Sequence, residues 1–155
     1  MNEVLKSQEP YSFVNRGNNY EFVTDCNIKY TVCFLLHTGI SSCRVYEMAF
    51  GIVGAQKQSL DLRVRATIKA VLVDFWTNNT EAILFVCDSL DNRAKARMVL
   101  FDRWFRELNS GYEVVKFDFP ASLGVYASLL SYSSNPNLIA VIKELQELYM
   151  AMLGQ

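Results

Sequence analysis

Apolar and polar residues alternate from Tyr11 to Val53, and the alternation breaks only at short polar clusters. YSFVNR and YEFVT flank Gly17-Asn18-Asn19, residues that tolerate the positive φ of a tight turn, so the two runs predict a β-hairpin. After Asp25-Cys26-Asn27, the segment IKYTVCFLLH places Ile28, Tyr30, Val32, Phe34 and Leu36 on one face and Lys29, Thr31, Cys33, Leu35 and His37 on the other. A loop through Gly39 and Ser42 leads to CRVYEMAFGIV. Residues 11–53 are therefore expected to form four antiparallel strands.

The period then changes. Leu62, Val64, Ile68, Val71, Leu72 and Phe75 fall at helical spacing over 62–76, with Ser59 or Asp61 as N-cap. Thr77-Asn78-Asn79-Thr80 ends this helix, and AILFVC follows as a continuous apolar run, the pattern of a central strand covered on both faces. Asp88-Ser89-Leu90-Asp91 supplies caps for a second helix over 91–108, with Ala94, Met98, Phe101, Phe105 and Leu108 as its stripe. YEVVKFDF and GVYASLLSY form two further strands around Pro120 and Gly124. Asn135-Pro136 opens a last helix over 136–153, Pro standing where a missing N–H costs nothing. The order β-β-β-β-α-β-α-β-β-α predicts a single α+β domain over 1–155, with residues 1–10 as a flexible lead. Its sheet is expected to be mixed and mainly antiparallel, with helices packed on it.

Composition agrees with one packed core. The chain has 155 residues, 51% of them hydrophobic, which excludes a disordered polypeptide. Fifteen cations against sixteen acids leave a charge of −1, without the basic footprint of a nucleic-acid or membrane-surface binder. The charges are unevenly placed. Residues 57–106 hold nine cations and six acids, a local +3 between acidic ends. A solvated helix face accounts for that centre, with a phosphorylated ligand as the alternative. MNEVLKSQEP carries no secretory pattern and no run of about 18 apolar residues occurs, so a soluble, cytoplasmic protein is expected. Cys26, Cys33, Cys43 and Cys87 match neither a zinc knuckle nor a CxxC pair. They are expected to be reduced, mostly buried thiols, and no metal site is expected.

Few residues carry obvious chemistry. His37 is the only histidine and has no GxSxG or HExxH beside it, which gives it a structural or surface role. Arg93 and Arg97 stand one helical turn apart, placed for pairing with Asp91, Asp102 or Glu107 or for holding a phosphate. Phe101, Trp104 and Phe105 cannot all point inward, and Trp76 poses the same problem. On the last helix Leu138, Ile142, Leu145, Tyr149 and Met152 form a stripe widened by Ile139, Val141, Leu148 and Leu153. That stripe packs on the sheet or meets a partner, a homodimer or another protein.

Asp61-Leu62-Arg63 with Thr67-Ile68, Cys87-Asp88-Ser89, Asp91-Asn92 and Leu100-Phe101-Asp102-Arg103-Trp104-Phe105 together resemble an uncharacterised bacterial family of similar length, which has no assigned activity. The resemblance runs from the first hairpin to the last helix. The element order also looks like the GNAT acetyltransferase superfamily, whose loop before the first of these helices reads Arg/Gln-x-x-Gly-x-Gly/Ala. Here Arg63-Val64-Arg65-Ala66-Thr67-Ile68 keeps the leading Arg and lacks the glycines. The resemblance implies acetyl coenzyme A as cofactor, Gly54, Arg63 and Arg65 as its contacts, and Glu47 as catalytic base. The tyrosine acid of that superfamily has no counterpart between Asn92 and Leu108.

A third similarity, to the RNase H nuclease fold, makes Asp88 a metal-binding carboxylate, with Asp25, Asp61 and Asp74 as the other acids on offer; helix capping is the ordinary role of Asp88 and Asp91. The expectation is a non-catalytic GNAT-like binding or protein-interaction module. An acyl-coenzyme A-dependent N-acyltransferase and an RNase H-like nuclease are the alternatives. Neither a membrane nor a nucleic acid is an expected partner.

Overall fold

A computed structural model describes residues 9–54, 62–87, 98–99, 101–103, 105–106, 113–122 and 125–153. Its strands are β1 (Phe13–Arg16), β2 (Asn19–Val23), β3 (Lys29–Leu36), β4 (Arg44–Ile52), β5 (Glu81–Cys87), β6 (Val114–Ser122) and β7 (Val125–Tyr132). Helix α1 (Leu62–Phe75) precedes β5 and α3 (Leu138–Leu153) follows β7. Helix α2 is described at residues 98–99, 101–103 and 105–106. The seven strands form one sheet in the order β1-β2-β3-β4-β5-β7-β6. Strands β4 and β5 run parallel, whereas β1/β2, β2/β3, β5/β7 and β6/β7 are antiparallel. The mixed, mainly antiparallel α+β architecture and its element order are those expected.

The chain divides into two compact units, residues 1–34 with 49–77 and residues 35–48 with 78–155. In the first, the turn after β1 is made by Gly17 at φ 75, and strand alternation turns Tyr20, Phe22, Tyr30, Val32 and Phe34 to one face. Helix α1 presents Val64, Thr67, Ile68 and Val71 to that face. Phe34 stacks on Phe75 with ring centres 3.9 Å apart, and Phe22 stacks on Tyr30 at 5.2 Å. Trp76 is buried. The other face is polar: Glu21 lies 3.7 Å from Arg16 and 3.5 Å from Lys29.

In the second unit, Ala82, Ile83, Leu84 and Phe85 of β5 are all at most 5% exposed, the two-sided burial that their unbroken apolar run predicts. On one face Val45, Ala82, Leu84, Ala127, Leu129 and Phe119 pack with Val141 and Leu145 of α3. On the other, Phe85 stacks on Phe101 of α2 at 4.1 Å. Helix α3 is amphipathic, and Ile139 projects outward, 83% exposed. Two residues of helix turn it about 200° from Val141, so it cannot widen the buried stripe.

Other expectations shift. Pro120 lies within β6 and does not end it. Strand β6 is the sheet's edge, where a missing N–H breaks no ladder, and its register shifts between Phe119 and Ser122. Helix α3 starts at Leu138 and not at Pro136, because the Asn137 N–H donates to Asn135 Oδ1 at 2.9 Å and holds Pro136 in the turn ahead. Of the cysteines, Cys26, Cys33 and Cys43 are free, as expected, but these three are not mostly buried: Cys26 sits exposed in a turn, and Cys33 and Cys43 are half-buried. Among the described residues no helix is long and apolar enough to cross a membrane.

Candidate functional site

Arg63 stands in the first turn of α1 and makes three contacts within the protein. Its guanidinium lies 3.9 Å over the Tyr11 ring, its Nε donates to the Glu9 carbonyl at 2.8 Å, and its Nη1 meets the Asp25 carboxylate at 3.0 Å. The Tyr11 N–H donates to Thr67 Oγ1 at 2.8 Å, and that hydroxyl donates to the Arg63 carbonyl at 2.6 Å. The residue expected at a pyrophosphate therefore closes an internal clasp. Arg65 is half-buried two residues on. Gly54 is exposed at φ 94, and a Cβ there meets nothing within 4 Å, so its backbone conformation and not crowding calls for glycine. The 55–61 segment, with Ser59 and Asp61, lies outside the described residues.

Glu47 is half-buried on β4, in register with Leu84. Alternation puts it on the face of Val45, the face that α3 covers. Burial and then the Glu47 charge push the Tyr149 hydroxyl above its ordinary value, and Tyr149 packs on Phe119 at 5.4 Å. Glu47 and Tyr149 thus lie close enough to interact through charge on the α3 side of the sheet. Spacing alone assigned Tyr149 to the core stripe and gave no signal of its acidic neighbour.

A second network lies on the α2 face. The Lys116 side chain is 6% exposed, with Nζ 3.0 Å from Asp102 Oδ1 and in contact with the Asp118 carboxylate. Fully buried Ser128 donates to Asp118 at 2.5 Å, and Arg106 pairs with Asp102 at 2.8 Å. Burial pushes the Asp118 carboxyl up, but Lys116 and Ser128 together pull it below its ordinary value. Two cations and two acids close the charge. Strand alternation placed Lys116 and Asp118 on one face; their helical partner came from tertiary packing.

The third cluster surrounds the loop between β3 and β4. The Glu144 carboxylate of α3 accepts the Ser41 N–H at 2.5 Å, the Ser41 hydroxyl at 3.1 Å and the Ser42 N–H at 3.0 Å. Hydrogen bonding from Ser42 and Ser41 lowers its pKa to about 2. The Ser42 Oγ, next to the same carboxylate, makes no hydrogen bond of good geometry; it is the buried side-chain polar atom left without a partner among the described residues. Beside it an open groove of about 490 Å³ is lined by Leu36, His37, Thr38, Gly39, Ile40, Ser41, Cys43 and Arg44. His37 Nδ1 donates to the Thr38 carbonyl at 2.9 Å, which fixes its tautomer. Burial raises the Cys43 thiol, and an unactivated thiol is a weak nucleophile.

Among the described residues no three His, Cys, Asp or Glu side chains converge to hold a metal ion. Asp25 is paired with Arg63, and Asp74 accepts from Tyr20 at 2.8 Å and Asn15 at 3.2 Å. Asp88, Asp91, Arg93, Arg97 and Trp104 lie outside the described residues.

Fold and clusters define an α+β protein whose mixed sheet carries three polar networks. Residues 60–147 match the model of DUF6169, a family of unknown function, and the chain belongs to this family. The match takes in Arg63, Lys116 and Glu144, and the β1–β4 meander precedes it. No curated protein and no solved structure matches the chain.

Proposed function

We propose that the chain is a non-catalytic binding module of GNAT-like topology that acts through a protein partner. The strand order β1-β2-β3-β4-β5-β7-β6, with β4/β5 as its parallel pair and a closing β6–β7 hairpin, supports the topological part. The Arg63 clasp carries the non-catalytic part: a guanidinium stacked on Tyr11 and bonded to Glu9 and Asp25 has its face and two of its donors committed inside the protein. Glu47 is half-buried on the face of β4 that α3 covers, which restricts the approach of an incoming amine to it.

Thermal unfolding with acetyl coenzyme A tests this reading. No shift is expected at millimolar ligand. A saturable rise in Tm would overturn the reading and restore acyl transfer, with Gly54, Arg63 and Arg65 on the cofactor and Glu47 as base.

Self-association through α3 belongs to the same proposal, because Ile139 and Met150, 83% and 72% exposed, lie three turns apart on its outer side. Sedimentation should then show a concentration-dependent dimer that Ile139→Lys with Met150→Lys converts to monomer. A cytoplasmic setting fits the free Cys26, Cys33 and Cys43.

A further inference from the structure

The loop that holds Glu144 has the chemistry of a carboxylate receptor. Two consecutive backbone N–H groups, of Ser41 and Ser42, point at the two oxygens of one carboxylate, and the Ser41 hydroxyl adds a third donor. The Ser42 hydroxyl is buried beside them and meets the same carboxylate without good hydrogen-bond geometry, so a carboxylate seated differently can take it up as a fourth donor. Ser41 also lines the adjoining groove, whose eight lining residues include the cation Arg44, His37 and the apolar Leu36 and Ile40, and no acid. The groove is open, whereas small-molecule sites enclose most of their ligand. An open groove suits an extended chain.

We propose that this loop and groove capture the free carboxyl terminus of a partner polypeptide that ends in an apolar residue, with Glu144 as the built-in occupant that it displaces. The terminal carboxylate takes the N–H groups of Ser41 and Ser42, the apolar side chain lies against Leu36 and Ile40, and Arg44 adds charge attraction. Glu144 competes for the same donors, so only a ligand that also fills the groove displaces it. The proposal rests on the interaction reading only in making the ligand a polypeptide; the receptor chemistry is independent of fold kinship and of acetyl coenzyme A.

The test follows the Ser41 and Ser42 amide resonances of ¹⁵N-labelled full-length protein during titration with Gly-Ala-Leu, with its amidated form, and with hexanoate. The free-acid peptide should move both resonances saturably, and Glu144→Gln should tighten that binding by about tenfold. The amidated peptide should leave them in place. No saturable movement in either protein, equal movement with the amidated peptide, or binding of hexanoate without the peptide would each overturn the proposal. If Glu144→Gln does not fold, wild type titrated with the free against the amidated peptide still decides between capture and its absence. An acetyl coenzyme A shift with a normal titration would instead overturn only the non-catalytic reading.

Discussion

The Arg63 guanidinium lies 3.9 Å from the centre of the Tyr11 ring, and the two residues are joined a second time through Thr67, which accepts the Tyr11 N–H and donates to the Arg63 carbonyl. The clasp ties the approach to β1 onto the first turns of α1. Thr67 is 0% exposed, so Thr67→Val keeps its shape but strands a buried N–H. A loss of about 1–3 kcal/mol in urea unfolding is expected. Asp25 is the outer partner, its side chain 77% exposed, and Asp25→Asn should cost under about 1 kcal/mol. Equal losses from the two changes would contradict the clasp as described.

Two positions on α3 separate packing from exposure. Leu145 is 0% exposed within the cluster of Val45, Leu84 and Leu129, and Leu145→Ala should cost about 2–5 kcal/mol through lost contacts and a cavity. Ile139→Ala should lie within about 0.5 kcal/mol of wild type in dilute protein. Denaturant midpoints of the two variants decide the matter, and a large effect at Ile139 would mean that its face is covered in solution.

Lys116 tests the buried network. Lys116→Ala leaves Asp102 and Asp118, 34% and 61% exposed, facing one another without their shared cation, and a loss of about 1–3 kcal/mol is expected. Adding Asp102→Asn and Asp118→Asn to Lys116→Met should recover most of it, since the two facing acids are then neutral and Arg106, 73% exposed, remains solvated. Failure of the triple variant to recover would mean that packing and not charge sets the cost.

Stability should fall at both ends of the pH range, for different residues. The Glu144 carboxyl is lowered from 4.5 to about 2, so its contribution is fully present above pH 4.5 and is lost as pH falls toward 2. Glu144→Gln should flatten that acid limb, and added salt should shrink the difference because the group is at the surface. Tyr20 is raised from 10.0 to about 12 by burial and then by the Asp74 hydrogen bond and charge. Its contribution is therefore present below pH 10 and lost as pH climbs toward 12. Tyr20→Phe should flatten the alkaline limb, read by urea unfolding at a series of pH values.

Much of the fold is legible in the chain, and so is one site residue's vicinity. Alternation over 28–36 states which side of β3 is buried, because side chains on a strand point to opposite faces whatever it packs against. The unbroken AILFVC run states that β5 is covered twice. Leu36 marks the limit: it shares the apolar parity of Phe34, yet it is 53% exposed at the end of the strand. The Arg63 signal was readable as a cation at a helix start, but its partners Tyr11 and Asp25 lie far along the chain, and no local pattern links them.

Periodicity was enough for the α+β class, the order of elements and the buried face of most amphipathic segments, because it is a property of a chain's own geometry. What the charged residues do was settled by packing in three dimensions. It put Arg63 in a clasp, set Lys116 between two acids, and brought Glu144 to the Ser41 and Ser42 N–H groups. Each of these depends on residues brought together from distant segments, and whether a charge faces water, a ligand or its own chain follows from that meeting alone.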